Sequence, residues 1–539
     1  MTALAPAVSG PVLRTFPAAR GSLAAARERT MALRGWRRWG LAFLLGALSA
    51  AALPPVHLVF LLVPAFIGWL WLIEGSATRR GALSAGWWFG AGHFAAGLYW
   101  ISNALLVQPE LYAWLIPIAI GGFAAGFGVF PGMVAVAVRL VPAGGIGRIA
   151  ALALAWTAAE WLRSWIFTGF PWNLIGTVWA FSDAMIQPAA LFGTFGLGLV
   201  TVTLAALPAV LADPGISSRG ALTAAGAGAA LLAVLWVGGT LRLPAGESPT
   251  VENVRLRLVQ PNIPQKLKWH PDYRDANLVS QVELSRRPTP DGQAPTHVIW
   301  PETAATFFIA HDTQRRDFMA KAAPPGGLLI TGAPRRTPPG ADAYRVWNSL
   351  EAVDGKGGIV GVYDKAHLVP FGEYVPFRGL LDIKKITAGR QDFSAGEGPA
   401  TLHLPGLPPV GPLICYEIIF PGHVADRNDR PGWLLNLTND AWYGKSAGPY
   451  QHLAATRMRA AEEGLPVVRV AMTGITAVFD GFGRSVGRIG LEKTGVLDTR
   501  LPKALDETPY ARYGNWTVLA MAALLALALI IPAAEGWRK

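Results

Sequence analysis

A single cysteine, Cys415, stands in the stretch GPLICYEIIF (411–420) of this 539-residue chain. A cysteine that follows an apolar run is most often an inert, small core residue. A catalytic cysteine attacks as its thiolate, so it needs a base that takes its proton and a positive group or backbone donors that stabilise an oxyanion. Because the chain has no second cysteine, an intramolecular disulfide and a cysteine-rich metal site are both excluded.

Two other residues have chemistry that would activate a cysteine. Glu302 follows an apolar run in VIWPETA (298–304), where a partly desolvated carboxylate suits a general base. The same position, after a proline, is equally typical of a helix N-terminus that carries a stabilising carboxylate. Lys365 lies in VYDKAHLVPFGEYVP (362–376), which also contains Glu373. A lysine at a strand end is more often a solvated surface residue than a catalytic group.

Strand-like runs position these residues. Such runs occupy 254–262, 296–303, 326–334, 411–417 and 432–440, and a helix-like stretch covers 452–464. Alternation of strands and helices over 241–513 predicts one α/β domain. Reactive side chains of such folds tend to lie at the carboxyl ends of strands. Glu302, Cys415 and Asn439 lie at or just past the ends of predicted strands, so we expect a site there.

Composition indicates a membrane protein. Hydrophobic residues make up 52% of the chain, charged residues make up 15%, and the mean hydropathy is +0.33. Apolar runs near the length of a membrane-crossing helix fall at 40–54, 57–73, 83–106, 112–140, 148–167, 191–212, 220–240 and 515–533. The sequence therefore predicts a seven-helix transmembrane domain over 40–240 and an eighth helix near the C-terminus. The pairs Gly86/Gly90 and Gly122/Gly126 predict close helix packing.

The distribution of basic residues predicts the topology. Before the first span lie Arg14, Arg20, Arg27, Arg29, Arg34, Arg37 and Arg38, whereas the turns at 54–57 and 107–111 carry no lysine or arginine. By the positive-inside rule, residues 1–39 form a cytoplasmic tail and 241–513 lie on the extracytoplasmic side. Residues 514–539 hold the closing helix and a short cytoplasmic tail with Arg538 and Lys539. The formal charge of +12 thus reflects topology rather than nucleic-acid binding. No cleavable signal peptide is expected.

Together these motifs resemble a known family. Glu302 in WPETA, Lys365 in YDKAHLVPFGEYVP and Cys415 in ICYE resemble the Glu-Lys-Cys triad of the nitrilase (carbon–nitrogen hydrolase) superfamily. With membrane helices on both sides, the chain is most similar to the apolipoprotein N-acyltransferases of bacterial lipoprotein maturation. The resemblance implies a membrane α-helical bundle of about eight transmembrane helices and an extracytoplasmic α/β domain, a nitrilase-like αββα sandwich.

The resemblance also implies a role for each triad residue. Cys415 would be the nucleophile, Glu302 the general base and Lys365 the electrostatic stabiliser of the oxyanion. The backbone N–H of Tyr416 would be a second oxyanion donor.

Supporting positions match the family as well, with four departures. Glu373 and Glu417 would orient Lys365 and tune the thiol, and Trp269 in NIPQKLKWHP would form part of the substrate entrance. The departures are Thr438, Tyr443, Leu465 and Met472, where the family pattern has serine, phenylalanine, arginine and asparagine. None of them falls on the triad. Leu465 and Met472, however, leave the local shape of the substrate rim undetermined by the resemblance.

The implied reaction is an acyl transfer in the bacterial inner membrane. The acyl chain would pass from a membrane phospholipid, through a thioester on Cys415, to the N-terminal amine of a diacylglyceryl-cysteine lipoprotein precursor. A thioester passes its acyl group to an amine provided that water is kept out. Both substrates are lipids held in one leaflet, which explains a catalytic domain anchored by membrane helices. The resemblance implies no cofactor, and the histidines lack the spacing of a metal site.

Two alternatives remain. A membrane-anchored amidase or nitrilase would use the same triad to hydrolyse a carbon–nitrogen bond, with water as the final acceptor. A transporter whose extracytoplasmic domain binds a ligand should show paired broken helices or internal symmetry, and the hydropathy shows neither clearly. Glu160 and Arg163, near the outer end of the fifth predicted span, are either functional charges at membrane depth or a local ion pair.

Overall fold

The computed structural model describes residues 11–338, 340–341, 343–376 and 391–536. Its first part is helical: α1 Pro11–Ala32, α2 Gly35–Ala50, α3 Leu62–Glu74, α4 Arg79–Leu98, α5 Ser102–Leu105, α6 Pro109–Tyr112, α7 Ile116–Leu140, α8 Gly145–Arg163, α9 Asp183–Ile186, α10 Ala189–Ala206 and α11 Ser218–Arg242. Three helical stretches within the described residues are long and apolar enough to cross a membrane: Pro109–Leu140, Ala189–Ala212 and Ser218–Arg242. Shorter apolar stretches are Val59–Glu74 and Trp516–Leu527.

Within the described residues, the arginine-rich segment before the first predicted span is helical except at Leu33 and Arg34. Helix α1 is tied to the bundle by polar contacts, since Arg27 pairs with Glu74 at 2.9 Å and Arg20 donates to Ser218 at 2.6 Å. The predicted tail therefore packs against the ends of other helices. Arg538 and Lys539, which the topology prediction also used, lie outside the described residues.

Small residues let helix α4 pack closely on α7. A side chain at Gly86 would overlap the backbone of Pro131, and one at Gly90 would also crowd α7. The predicted packing role of this glycine pair is therefore confirmed. The same prediction is wrong for Gly122 and Gly126, because no neighbouring element among the described residues comes within 4 Å of a Cβ built at either position.

Strands make up the second part of the chain. They are β1 Thr250–Gln260, β2 His297–Ile299, β3 Leu328–Arg336, β4 Val346–Asp354, β5 Ile359–Asp364, β6 Val410–Ile414, β7 Trp433–Thr438, β8 Val467–Ala471, β9 Thr476–Phe479, β10 Ser485–Ile489 and β11 Gly495–Pro502. Across the described residues they form one sheet in the order β11-β1-β2-β3-β4-β5 and a second in the order β10-β9-β8-β7-β6. Strands β1, β2 and β3 are parallel, as are β6, β7 and β8. The five predicted strands correspond to β1, β2, β3, β6 and β7.

The two sheets share a hydrophobic core, and helices cover their other faces. The remaining helices are α12 Gln265–Lys268, α13 Arg274–Ser285, α14 Thr313–Met319, α15 Gly448–Glu463, α16 Pro509–Tyr513 and α17 Trp516–Gly536. Leu256 and Ile330 of the first sheet pack in one cluster with Ile414 and Leu435 of the second. Burying such a side chain contributes about 1.5–3 kcal/mol, so this core holds the sheets together. Helices α13 and α14 pack on the first sheet and α15 on the second.

A buried polar contact joins the α/β domain to the helical first part of the chain. Helix α10 has non-helical dihedral angles at Phe192 and Gly193, just before Thr194. Glu462 of α15 accepts hydrogen bonds from the N–H and the hydroxyl of Thr194, both at 2.6 Å, and from Arg459 at 2.9 Å. Free N–H groups at the start of a helical segment favour a carboxylate there. This contact is one of those that hold the α/β domain on the bundle.

Candidate active site

Strand ends bring the three predicted triad residues into one buried site. Lys365 directly follows β5, Cys415 directly follows β6, and Glu302 lies shortly after β2. Lys365 Nζ lies 3.8 Å from Glu302 Oε1. Glu302, Lys365 and Cys415 are 6%, 1% and 6% exposed. Charges on Glu302 and Lys365 both act on the Cys415 thiol, so the three groups share one electrostatic environment.

Burial sets the protonation of the thiol and the amine. It raises the pKa of Cys415 to about 12, Glu302 adds to the rise, and Lys365 opposes it. The thiol therefore keeps its proton at neutral pH, and attack requires a base. Burial acts to lower the pKa of Lys365, but the carboxylates of Glu373 and Glu302 outweigh burial and raise it. Lys365 is consequently a permanent cation, as an oxyanion stabiliser must be.

An asparagine that sequence reasoning missed joins the two carboxylates. Asn348 of β4 donates from Nδ2 to Glu302 at 2.7 Å and to Glu373 at 2.9 Å. The other oxygen of Glu373 lies 2.9 Å from Lys365 Nζ and accepts from the N–H of Val369 at 2.8 Å. Glu373 thus holds the Lys365 ammonium, and Asn348 holds both carboxylates. The sequence offered one signal for this role, which is the single side-chain amide of Asn348 inside the strand VWNSLEAVD.

Glu417 holds backbone around the site rather than the lysine itself. Its carboxylate accepts hydrogen bonds from Tyr363 OH and Ala366 N–H at 2.8 Å, His367 N–H at 3.1 Å and Ile414 N–H at 2.6 Å. Burial raises the pKa of this carboxyl, and the donors and Lys365 oppose the rise. Glu417 therefore ties the segment after Lys365 to the turn that carries Cys415.

The turn at Cys415 has a strained backbone. Cys415 has a φ of +52° and begins the 3₁₀ helix Cys415–Ile419. A left-handed conformation costs a non-glycine residue roughly 1–2 kcal/mol, and such strain concentrates at functional sites. The hydroxyl of Tyr416 donates to the carbonyl of Gly169 at 2.7 Å, in the loop between α8 and α9. The turn therefore contacts the helical first part of the chain directly.

Glu160 and Arg163 support that same loop. Arg163 donates to the carbonyls of Phe170 and Trp172, the latter at 2.7 Å, and Glu160 accepts from the N–H of Ile175 at 2.7 Å. Both side chains therefore bond to backbone, and they shape the segment that the α/β domain contacts.

A second buried lysine lies beside Glu302. Lys268 donates to the carbonyl of Glu302 at 3.0 Å and to the hydroxyl of Thr303. Burial lowers the pKa of Lys268 to about 8, while Glu302 and Cys415 act to raise it. Sequence reasoning missed Lys268 because nothing distinguishes it from the nearby Lys266, which is exposed. Trp269, the predicted entrance residue, is its half-buried neighbour in the chain.

The two departures that left the shape of the substrate rim open lie in the core. Leu465 and Met472 are both 0% exposed and belong to hydrophobic clusters on the helix-covered faces of the sheets. Neither side chain reaches the surface, so these two departures change the packed core. Of the milder departures, Thr438 donates to Asp440 at 3.0 Å and Tyr443 packs against Trp100 of the helical first part.

The two parts of the chain match two family descriptions. Residues 45–207 match "Apolipoprotein N-acyltransferase N-terminal domain", and residues 255–510 match "Carbon-nitrogen hydrolase". The chain is thus a protein of apolar helices that carries a carbon–nitrogen hydrolase domain, with cysteine, glutamate and lysine buried together.

Full-length relatives narrow this class. The apolipoprotein N-acyltransferase of Rhodopseudomonas palustris is 41% identical over 528 residues, covering 95% of this chain and 98% of the relative. That of Bradyrhizobium diazoefficiens is 41% identical over 511 residues, covering 92% and 95%. The chain belongs to the apolipoprotein N-acyltransferase family. An amidase from Nesterenkonia sp. is 20% identical with a TM-score of 0.34, covering 48% of this chain and 94% of the amidase, a similarity too low to bear on function.

Proposed function

We propose that this chain transfers an acyl chain from a membrane phospholipid to the N-terminal amine of a diacylglyceryl-cysteine lipoprotein precursor, with Cys415 as the acyl carrier. The observation that carries the proposal is the buried contact of Lys365 with Glu302 and Glu373 beside the only thiol, in a chain of this family. Glu302 is the general base, Lys365 the oxyanion stabiliser and Cys415 the nucleophile.

The first half-reaction loads the cysteine. Glu302 takes the thiol proton as Cys415 Sγ attacks the ester carbonyl of the phospholipid. The resulting oxyanion is stabilised by the Lys365 ammonium and the N–H of Tyr416. Collapse of this intermediate breaks the ester C–O bond, and the departing alkoxide takes the proton from Glu302. A lysophospholipid leaves, and the acyl group remains on Cys415 as a thioester.

The second half-reaction discharges the thioester to the amine. The neutral α-amino group of the precursor attacks the thioester carbonyl, and Glu302 takes a proton from the attacking nitrogen. The same donors stabilise the oxyanion, and collapse breaks the C–S bond. The thiolate recovers its proton from Glu302, and the precursor leaves as an amide. The burial of all three side chains supports this sequence, because water would otherwise hydrolyse the waiting thioester.

The topology that suits this reaction has eight transmembrane helices in the bacterial inner membrane and the α/β domain on the periplasmic side. A helix at each predicted span supports it, and two sheets with a shared core and helices on their outer faces support the nitrilase-like αββα sandwich. A membrane-impermeant maleimide should label deacylated Cys415 in intact spheroplasts. Labelling only after lysis would contradict the periplasmic placement.

Hydrolysis by the same triad is the competing function, and membership in an acyltransferase family disfavours it. Incubation with phospholipid alone should release one equivalent of lysophospholipid, leave one hydroxylamine-sensitive acyl group on Cys415 and then stop. A diacylated peptide with a free N-terminal amine should discharge the acyl group and restart release, whereas the same peptide with a blocked amine should not. Continuous release of free fatty acid without an acceptor would establish the hydrolase instead.

A further inference from the structure

A second buried polar cluster lies under the Cys415 turn. It consists of Arg469, Asp440 and His452, which are 0%, 1% and 0% exposed. Arg469 donates to Asp440 Oδ2 at 2.6 Å, and Asp440 Oδ1 lies 2.9 Å from His452 Nδ1. His452 Nε2 lies 3.0 Å from the backbone oxygen of Cys415. The cluster therefore ends on the backbone of the nucleophile, although the proposed reaction uses none of its members.

Only one of the two atoms in the contact between His452 Nε2 and the Cys415 oxygen can donate a hydrogen bond. A carbonyl oxygen can only accept, so this contact is a hydrogen bond when His452 Nε2 carries the hydrogen. The other ring nitrogen donates to Asp440 when the ring is protonated, and it accepts from Arg469 Nη2, 3.1 Å away, when the ring is neutral. In both states the Nε2–H group donates to the Cys415 carbonyl.

That carbonyl belongs to the peptide unit between Cys415 and Tyr416. A trans peptide is planar, so its C=O and N–H groups point in opposite directions. A restraint on the carbonyl therefore also sets the direction of the Tyr416 N–H. The positive φ of Cys415 is intrinsically unfavourable, so this turn needs such a restraint from outside. The side-chain amide of Asn436, 3.4 Å from the same oxygen, makes a longer contact.

We propose that His452 is a positioning residue, which aims the Tyr416 N–H at the oxyanion by holding the Cys415 carbonyl. The inference rests on the proposed function, in which that N–H is the second oxyanion donor. His452 acts through the backbone and not on the substrate. Because an oxyanion donor acts where charge develops in the transition state, its misdirection slows acylation without weakening phospholipid binding.

Two substitutions of His452 separate positioning from folding. The amide nitrogen of His452→Gln reaches the place of ring Nε2 and keeps the donor, whereas that of His452→Asn reaches only the place of Nδ1. We expect H452N to slow single-turnover acylation by about 10²–10³-fold at an unchanged half-saturating phospholipid concentration, and H452Q to stay within about tenfold of the wild type. Alkylation of Cys415 by iodoacetamide forms no oxyanion, so its rate should be unchanged in both variants.

Two outcomes of these rates would overturn the proposal. One is acylation at the wild-type rate in H452N. The other is a parallel loss of acylation and alkylation in both variants, which would show a merely structural role.

The single cysteine also gives a direct spectroscopic readout. Biosynthetic labelling with cysteine that carries carbon-13 at its carbonyl marks only Cys415. Its amide I band should lie at the low wavenumber of a hydrogen-bonded carbonyl in the wild type and H452Q, and should move upward in H452N. A band typical of a free carbonyl in the wild type would overturn the proposal even if H452N does not fold. A wild-type protein that never acylates Cys415 would refute the proposed function instead, and the band would still show whether His452 holds the turn.

Discussion

The two polar clusters beside Cys415 hold their charges differently. In the first, Lys365 Nζ stands 3.8 Å from Glu302 Oε1, and Glu302 Oε2 has no hydrogen-bond partner among the described residues. In the second, both oxygens of Asp440 accept hydrogen bonds, Oδ2 from Arg469 at 2.6 Å and Oδ1 from Thr438 at 3.0 Å, and Oδ1 lies 2.9 Å from His452 Nδ1. Both clusters are buried, so burial alone does not separate them.

The difference shows which cluster can react. A carboxylate with an unused oxygen can take a proton from an attacking group, whereas a saturated carboxylate can only hold the partners that it already has. We therefore expect substitutions in the saturated cluster of Asp440, His452 and Arg469 to lower the stability of the protein. Substitutions in the open cluster of Glu302, Lys365 and Cys415 should instead lower the reaction rate.

The largest effects should come from the open cluster. Cys415→Ala, Glu302→Gln and Lys365→Ala should each lower turnover on the order of 10⁴-fold or more, because each removes one part of a unit that works together. Lysophospholipid release from purified protein measures the loss. Double variants should lose little more than single variants, and the thermal unfolding midpoints of Cys415→Ala and Glu302→Gln should stay near that of the wild type. Losses that multiply across the pairs would assign one member a structural role.

The saturated cluster should respond in stability. Asp440→Asn leaves the buried charge of Arg469 without its partner, and breaking such a pair costs about 3–5 kcal/mol of unfolding free energy. Denaturant unfolding in detergent measures this loss. Glu302→Gln is the matched control, with an expected change below about 1 kcal/mol. Equal destabilisation by the two variants would remove the distinction between the clusters.

Lys268, beside the open cluster, should make stability depend on pH. Its pKa is lowered by burial to about 8 from an ordinary value of 10.5, so between these values the unfolded chain binds a proton that the folded chain does not. Stability should therefore rise with pH across this window, by up to about 3 kcal/mol. Lys268→Met should remove this rise, and Lys266→Met, at an exposed lysine, should keep it. Identical pH slopes in the wild type and K268M would contradict the assignment.

The smallest effect should come from the amide that joins the two carboxylates. Asn348→Ala removes the donor that orients Glu302 and Glu373, and a misplaced base should lower the acylation rate by about 10- to 100-fold. Pre-steady-state release of lysophospholipid at saturating phospholipid measures this rate, and the half-saturating concentration should not change. A raised half-saturating concentration at an unchanged rate would place Asn348 in substrate binding.

Much of the fold and site was available from the sequence because the signals are local. Apolar runs of sufficient length predicted the helices, and apolar runs that end in a charged residue predicted β2 and β6 together with Glu302 and Cys415. The motif around Lys365 also supplied Glu373, which lies only a few residues away along the chain. The effect of Leu465 and Met472 stayed open, since a sequence pattern does not show how the residues that flank a strand pack in the core.

Tertiary structure alone decided which other polar residues join the site. Asn348 comes from β4, Lys268 from α12, and the cluster under Cys415 combines residues that follow β7, lie in α15 and lie in β8. In sequence each is an ordinary asparagine, lysine, aspartate, histidine or arginine, and no local period marks it. Only the packing of the two sheets sets which polar atoms must pair once water is gone, and buried groups without a partner are too costly to leave unmatched.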